Sequence, residues 1–257
     1  MRTNVNGLGM EYTDQGAGRA LLLVHGFPLD RRAWSHQVAA FQLDHRVIAP
    51  DLRGLGESEG TVGPVAMSRY AEDLQALVLK LGAGPVILVG HSMGGYVALA
   101  FAKAFPRTLQ ALVLVGTKAG ADTPAAAAAR RASAEQVRKE GCSVVLEAMA
   151  AKMLSPGNTD AAMATAVRSL MARSRPEGVM AALLGMAERP DATAWLGEIR
   201  VPTLVVAGAD DAIMPPGDAE SLAKAIPGAR LQLIPRAGHL VAFEQPSAFN
   251  AALRSLL

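Results

Sequence analysis

Short runs of Val, Leu and Ile recur toward both ends of the chain, separated by stretches in which apolar residues fall at three- and four-residue spacings. The runs are Ala20–His25, Arg46–Pro50, Val86–Gly90, Ala111–Gly116, Thr203–Gly208 and Arg230–Pro235. They are apolar throughout rather than alternating, as strands covered on both faces are. Strands alternating with helical segments predict a mostly parallel sheet built from crossover units. One such segment, Met67–Leu81, carries Met67, Tyr70, Leu74, Leu77, Val78 and Leu81 at helical spacing and stops at the Gly82–Pro85 turn. The stretch up to Gly16 predicts a hairpin added at one edge of the sheet.

The rhythm breaks between Thr117 and Ile199, where 83 residues contain no run that reads as a strand. Apolar residues there keep helical spacing, as in Leu146, Met149 and Met153 or Val179, Leu183 and Met186. Pro156–Gly157, Pro176 and Pro190 divide the segment into several helices. Compact domains rarely leave so long a loop unstructured, so a helical cap is expected at 117–199, inserted after the strand at 111–116. The core is then 1–116 with 200–257.

Composition sharpens that division. Of 49 alanines, 22 lie in the insertion, together with six of the 11 methionines. Small side chains let helices approach closely, and methionine adapts to irregular apolar shapes, which puts substrate selection in the cap. Charge is balanced, with 25 Lys+Arg against 23 Asp+Glu overall and ten against nine in the insertion. That leaves no cationic surface for nucleic acid or an anionic membrane, and no field to steer a dicarboxylate. No apolar run approaches the ~18–20 residues of a membrane span. Met1–Gly18 is polar and glycine-rich, unlike a signal peptide. The single cysteine, Cys142, cannot form an intramolecular disulfide and reads as a small apolar group. The expectation is a cytoplasmic monomer or homodimer acting on a small molecule, with no nucleic-acid or membrane partner.

The strand Val86–Gly90 runs straight into Gly90-His91-Ser92-Met93-Gly94 and then into an apolar helix. This is the setting of a nucleophile elbow, in which a serine sits on a sharp strand-to-helix turn. Its neighbours two before and two after come close enough to require glycine. The helix N-terminus adds free N–H groups and a positive dipole end. A serine hydroxyl needs a base, and the base needs a carboxylate. Asp210 and Asp211 both follow the strand Thr203–Gly208. Among five histidines, His239 follows Gly238 on a loop that can return to the serine. His91 adjoins Ser92 but should point elsewhere. His36 and His45 read as solvated or helix-capping, and no pair has a metal-ligand spacing.

With these segments on view, the chain resembles the α/β-hydrolase superfamily over nearly its whole length. His25-Gly26-Phe27-Pro28 is similar to the family's oxyanion loop, and Asp51-Leu-Arg53-Gly54-Leu-Gly56-Glu-Ser58 to the loop after its next strand. Pro202–Asp211 and Gly238-His239, followed by Glu244 and Pro246, match its late segments. The resemblance implies a triad of Ser92, Asp211 and His239 in the chain order of that superfamily. Its acid stands three residues after the glycine, which selects Asp211, with Asp210 as the alternative. Oxyanion donors would be the amides of Phe27 and Met93. Phe27, Met93, Trp34 and Leu240 are the substrate-side candidates, although for Trp34, as for Trp195, packing is the preferred role and a pocket wall the alternative. His25 should be structural, and Asp51 and Arg53 should hold their loop. Gly54 and Gly56 are no phosphate cradle, because no Gly-Lys-Ser/Thr follows.

A serine at position 92 speaks against the dehalogenase and epoxide hydrolase branches, which use a carboxylate nucleophile. The resemblance to small bacterial esterases and to 3-oxoadipate enol-lactonases implies a carboxylesterase for small to medium apolar esters or lactones. It would work through an acyl-enzyme and need no cofactor, since water and the triad suffice. The alternatives are an enol-lactonase-like lactone hydrolase and a non-hydrolytic receptor on the same scaffold.

Overall fold

A computed structural model describes residues 1–257. Its strands are β1 (Arg2–Val5), β2 (Leu8–Gln15), β3 (Ala20–Val24), β4 (Arg46–Pro50), β5 (Val86–His91), β6 (Leu109–Val115), β7 (Thr203–Gly208) and β8 (Arg230–Ile234). They form one eight-stranded sheet in the order β1-β2-β4-β3-β5-β6-β7-β8. The β1–β2 hairpin joins β4 antiparallel, with Tyr12 opposite Pro50, and all the later pairings are parallel.

The uniformly apolar runs follow from a sheet covered on both faces. In β5, Val86 and Leu88 point into one apolar layer while Ile87 and Val89 point into the other. The first layer is closed by α2 (Met67–Lys80), α3 (Met93–Ala104) and α8 (Pro216–Ala225), through Leu74, Val97 and Leu222. The second is closed by α1 (Ser35–Phe41) and α10 (Pro246–Arg254), through Phe41, Phe249 and Leu253. β8 departs from the expectation of burial on both faces. It pairs only with β7, and Arg230, Leu231 and Gln232 are exposed, because an edge strand has no neighbour to cover it.

Between β6 and β7 the chain forms four helices, α4 (Pro124–Glu140), α5 (Ser143–Met153), α6 (Ala161–Met171) and α7 (Pro176–Ala187), followed by a 3₁₀ turn at Thr193–Glu198. The prolines act as sequence punctuation should: Pro124 and Pro176 stand at helix starts, where no N–H is missed. Asp160 caps α6 by accepting from Ala162 N and Met163 N at 2.9 and 3.0 Å. The two ends of the insertion meet, Ala192 N donating to Ala119 O at 3.0 Å. α7 lies on the loop after β4: a Cβ on Gly178 would overlap the Gly54 backbone, and Arg175 donates to Ser58 O.

Candidate active site

The turn from β5 into α3 puts Ser92 at φ 53°, ψ −115°, a left-handed conformation that costs a non-glycine residue about 1–3 kcal/mol. Its surroundings hold it there. Ser92 N donates to Val115 O at 2.8 Å, and Ser92 O accepts from Thr117 Oγ1 at 2.8 Å and from Gly95 N at 2.9 Å. A Cβ on Gly90 would overlap Gly94 O, and one on Gly94 would overlap Val24 O and His25 O. The glycines flanking the serine are therefore dictated by backbone meeting backbone.

His239 follows β8 and precedes the short helix α9 (Val241–Glu244). Its Nδ1 donates to Asp211 Oδ2 at 2.8 Å. Asp211 Oδ1 is fixed in turn by the N–H groups of Ile213 and Met214, each at 2.8 Å. With Nδ1 committed as donor, the neutral ring carries its lone pair on Nε2, which is buried and has no hydrogen-bond partner. Ser92, Asp211 and His239 are 8%, 4% and 0% exposed, so charge developing there would be poorly screened by water. Asp210, the alternative acid, makes no hydrogen bond to the imidazole and accepts instead from Ser155 Oγ at 2.8 Å.

The two candidate oxyanion donors, Phe27 N and Met93 N, have no acceptor within the protein. Their side chains are buried in one apolar cluster with Val137, Val145 and Val179 of the insertion. Leu240 belongs to a neighbouring cluster with Leu29, Ala33, Met153, Val167, Leu170 and Met171. Trp34 does not join them. Its ring lies 6.4 Å from His91 and 6.0 Å from Phe249, in the apolar layer on the opposite face of the sheet, and with Leu240 it lines a small cavity of about 10 Å³. Trp195 lines a cavity of about 610 Å³ beside Leu99, Lys103 and Lys118, and none of Ser92, Asp211 and His239 reaches it.

The remaining histidines have separate duties. His25 donates from Nδ1 to Gly26 O at 2.9 Å and accepts from Leu52 N at 3.0 Å, which ties its loop to the one after β4. Burial lowers its pKa. His91 lies behind the serine, its ring 4.8 Å from that of His239, and its Nε2 donates to His239 O at 2.9 Å. Burial first, and the neighbouring His239 second, pull its pKa down to about 3, so the ring is neutral and supports the His239 loop as a donor. His36 is exposed, whereas His45 is buried against Phe41 instead of being solvated.

Asp51 and Arg53 each hold the loop, through partners of their own rather than each other. Asp51 accepts from Arg31 N at 2.7 Å, Glu57 N at 2.8 Å and the Arg31 guanidinium. Arg53 forms a buried two-pronged pair with Asp73 of α2, at 2.7 and 2.8 Å. Sequence reasoning missed Asp73, although an acid three residues after Tyr70 on the apolar stripe of α2 was a readable signal. It also missed Thr117 and Ser155, for which no signal existed. Cys142 is half-buried, and burial raises its thiol pKa. No three His, Cys, Asp or Glu side chains converge to hold a metal ion. No helix is long and apolar enough to cross a membrane.

With a strand-to-helix serine turn and a buried His–Asp pair on this sheet, the chain belongs to the α/β-hydrolase fold family, whose model matches residues 19–246. A thermophilic esterase from Thermogutta terrifontis, solved with malate bound, is 41% identical and superposes with a TM-score of 0.96, covering 99% of this chain and 97% of its own. The enol-lactonase from Burkholderia xenovorans LB400 is 25% identical at a TM-score of 0.93, covering 100% and 99%. In sequence, 3-oxoadipate enol-lactonase 2 of Acinetobacter baylyi is 29% identical over 93% of this chain and 88% of its own.

Proposed function

We propose that this hydrolase cleaves small to medium apolar carboxylic esters and lactones, with Ser92 as nucleophile, His239 as general base and Asp211 as the carboxylate that orients it. The observation that carries this reading is the His239 ring itself: Nδ1 is bound to Asp211 while Nε2 is buried and unpartnered. Ser92 Oγ attacks the carbonyl carbon as its proton passes to His239 Nε2. The tetrahedral oxyanion is met by the N–H groups of Phe27 and Met93, a contribution worth about 10²–10³ in rate per donor. Collapse expels the alcohol, which takes the proton back from His239, and water then repeats the sequence on the acyl-enzyme. In a lactone the leaving alcohol stays attached to the acyl chain.

The residues at 1–116 and 200–257 carry the reacting groups in this reading, and those at 117–199 cap them. Support for an apolar acyl group comes from Met153, Val167, Leu170 and Met171 of the insertion, which cluster with Leu240, the residue after His239. Kinship to an esterase and to enol-lactonases makes substrate choice the matter to test. Hydrolysis of p-nitrophenyl acetate, butyrate and octanoate should be compared with that of an enol-lactone. Ser92→Ala should lower kcat/KM by on the order of 10⁴ or more with an unchanged circular dichroism spectrum. Turnover that survives this substitution would overturn the proposal, and an enol-lactone preferred by orders of magnitude would make the protein a lactonase.

A further inference from the structure

The turn Met153–Asn158, which links α5 to α6, is fastened to the loops that carry His239 and Asp211. Met153 O accepts from Leu240 N at 2.9 Å, and Ser155 Oγ donates to Asp210, the neighbour of Asp211. Ser155 N donates to both carboxylate oxygens of Glu244 at 3.1 Å. The same carboxylate accepts from Gly238 N at 2.7 Å and from Asn158 Nδ2 at 2.6 Å. Glu244 is 5% exposed, and its oxygens are met by N–H groups alone. A carboxylate so deeply buried is costly unless its acceptor sites are filled. Here they are filled from two separate parts of the chain. The approach is close enough that a Cβ on Gly238 would overlap the Leu154 carbonyl carbon, so only glycine fits before His239.

We infer that Glu244 is a positioning residue: its carboxylate joins the His239 loop to the Ser155–Asn158 turn, so that docking of the insertion and alignment of His239 with Ser92 are one event. This rests on the reading of Ser92 and His239 as the reacting pair. A general base works only within hydrogen-bond reach of its proton, and a displacement of about 1 Å costs up to ~10²-fold.

The test is steady-state kinetics with p-nitrophenyl butyrate, together with the rate at which a fluorophosphonate labels Ser92. Both are normalised to folded protein. Glu244→Gln turns an NH₂ group toward one of the N–H donors. It should lower kcat by about 10–100-fold, leave KM within about threefold, and slow labelling as much as kcat. Asn158→Ala removes one donor from a half-buried turn and leaves Glu244 in place. It serves as the second variant should Glu244→Gln not fold, and should lower kcat and labelling together by a few-fold. Wild-type kcat and labelling rate in the folded variants, or a change in KM alone, overturns the inference while leaving Ser92 and His239 as assigned. Wild-type protein that takes no label at Ser92 overturns the reading of the site, and the inference with it.

Discussion

α3 begins, and α5 ends, beside the loops that carry Ser92 and His239, yet the two helices are held very differently. α3 buries nine of its 12 residues and is wedged against β5 by the glycines at 90 and 94. α5 buries only Val145 and Met153 among its 11. Each fully buried aliphatic side chain contributes roughly 1.5–3 kcal/mol, so α3 cannot move without breaking the core. α5 lacks that anchorage and depends on hydrogen bonds at its C-terminal end, through Met153, Ser155 and Asn158. The lesson is a division of labour in which a central strand and a deeply buried helix hold Ser92, while a thinly packed helix closes the side proposed for the substrate. The second can adapt because little packing opposes it.

The largest effect that would test this contrast lies on the rigid side. Asp211→Asn should lower kcat/KM by about 10³–10⁴ without unfolding the protein, because an amide in its place favours the wrong imidazole tautomer. Activity within tenfold of wild type would mean that the dyad is not the working pair. Next is the buried Arg53–Asp73 pair, which joins the loop after β4 to α2. Arg53→Ala leaves the buried Asp73 carboxylate with only Asn6 Nδ2 at 3.0 Å and the Arg69 guanidinium at 3.8 Å, and should cost about 3 kcal/mol in urea-induced unfolding.

A smaller effect, dependent on pH, comes from His91. Its pKa is about 3 in the folded protein and ~6.5 in an unfolded chain. As pH falls below ~6.5, the unfolded chain gains a proton that the native protein does not. Stability is therefore complete above that pH and is lost toward pH ~3, with a slope of about 1.4 kcal/mol per unit. His91→Gln retains a donor for His239 O and should remove about one proton from that slope, measured by urea unfolding across the pH range. His25, lowered in the same direction, leaves a remainder. The smallest effect belongs to the adaptable side. Met171→Ala, in the cluster beside Leu240, should change the octanoate-to-acetate ratio of kcat/KM by about tenfold, with acetate turnover nearly unaltered. If acetate fell as far as octanoate, Met171 would be supporting the reacting groups and the contrast would fail.

Much of this was legible in the chain. The apolar runs located the strands, since a sheet covered on both faces needs them. The prolines marked the helices of the insertion, and Gly-x-Ser-x-Gly between a strand and a helix located the elbow. Boundaries drifted where tertiary pairing extended a strand, as when β6 began at Leu109 rather than Ala111. Burial of β8 was overestimated, because its place at the edge depends on the order of the whole sheet.

The amino-acid sequence by itself determined the face each strand and helix residue presents, and where the backbone had to be glycine. Those are local properties, written in periodicity and steric demand over a few neighbouring residues. The sequence already favoured Asp211 over Asp210 and turned His91 away from Ser92, but only the tertiary structure decided that Trp34 lies behind the sheet and that His91 supports His239. The tertiary structure also brought Ser155 to Glu244, 89 residues away in the chain, and to Asp210, 55 residues away. The physical reason is that contacts between distant segments depend on the stacking of layers, and Trp34, whose ring nitrogen has no hydrogen-bond partner, is placed by packing alone. A hydrogen bond's donor and acceptor must meet within about 3 Å, and that proximity follows from how the layers stack, which no local pattern encodes.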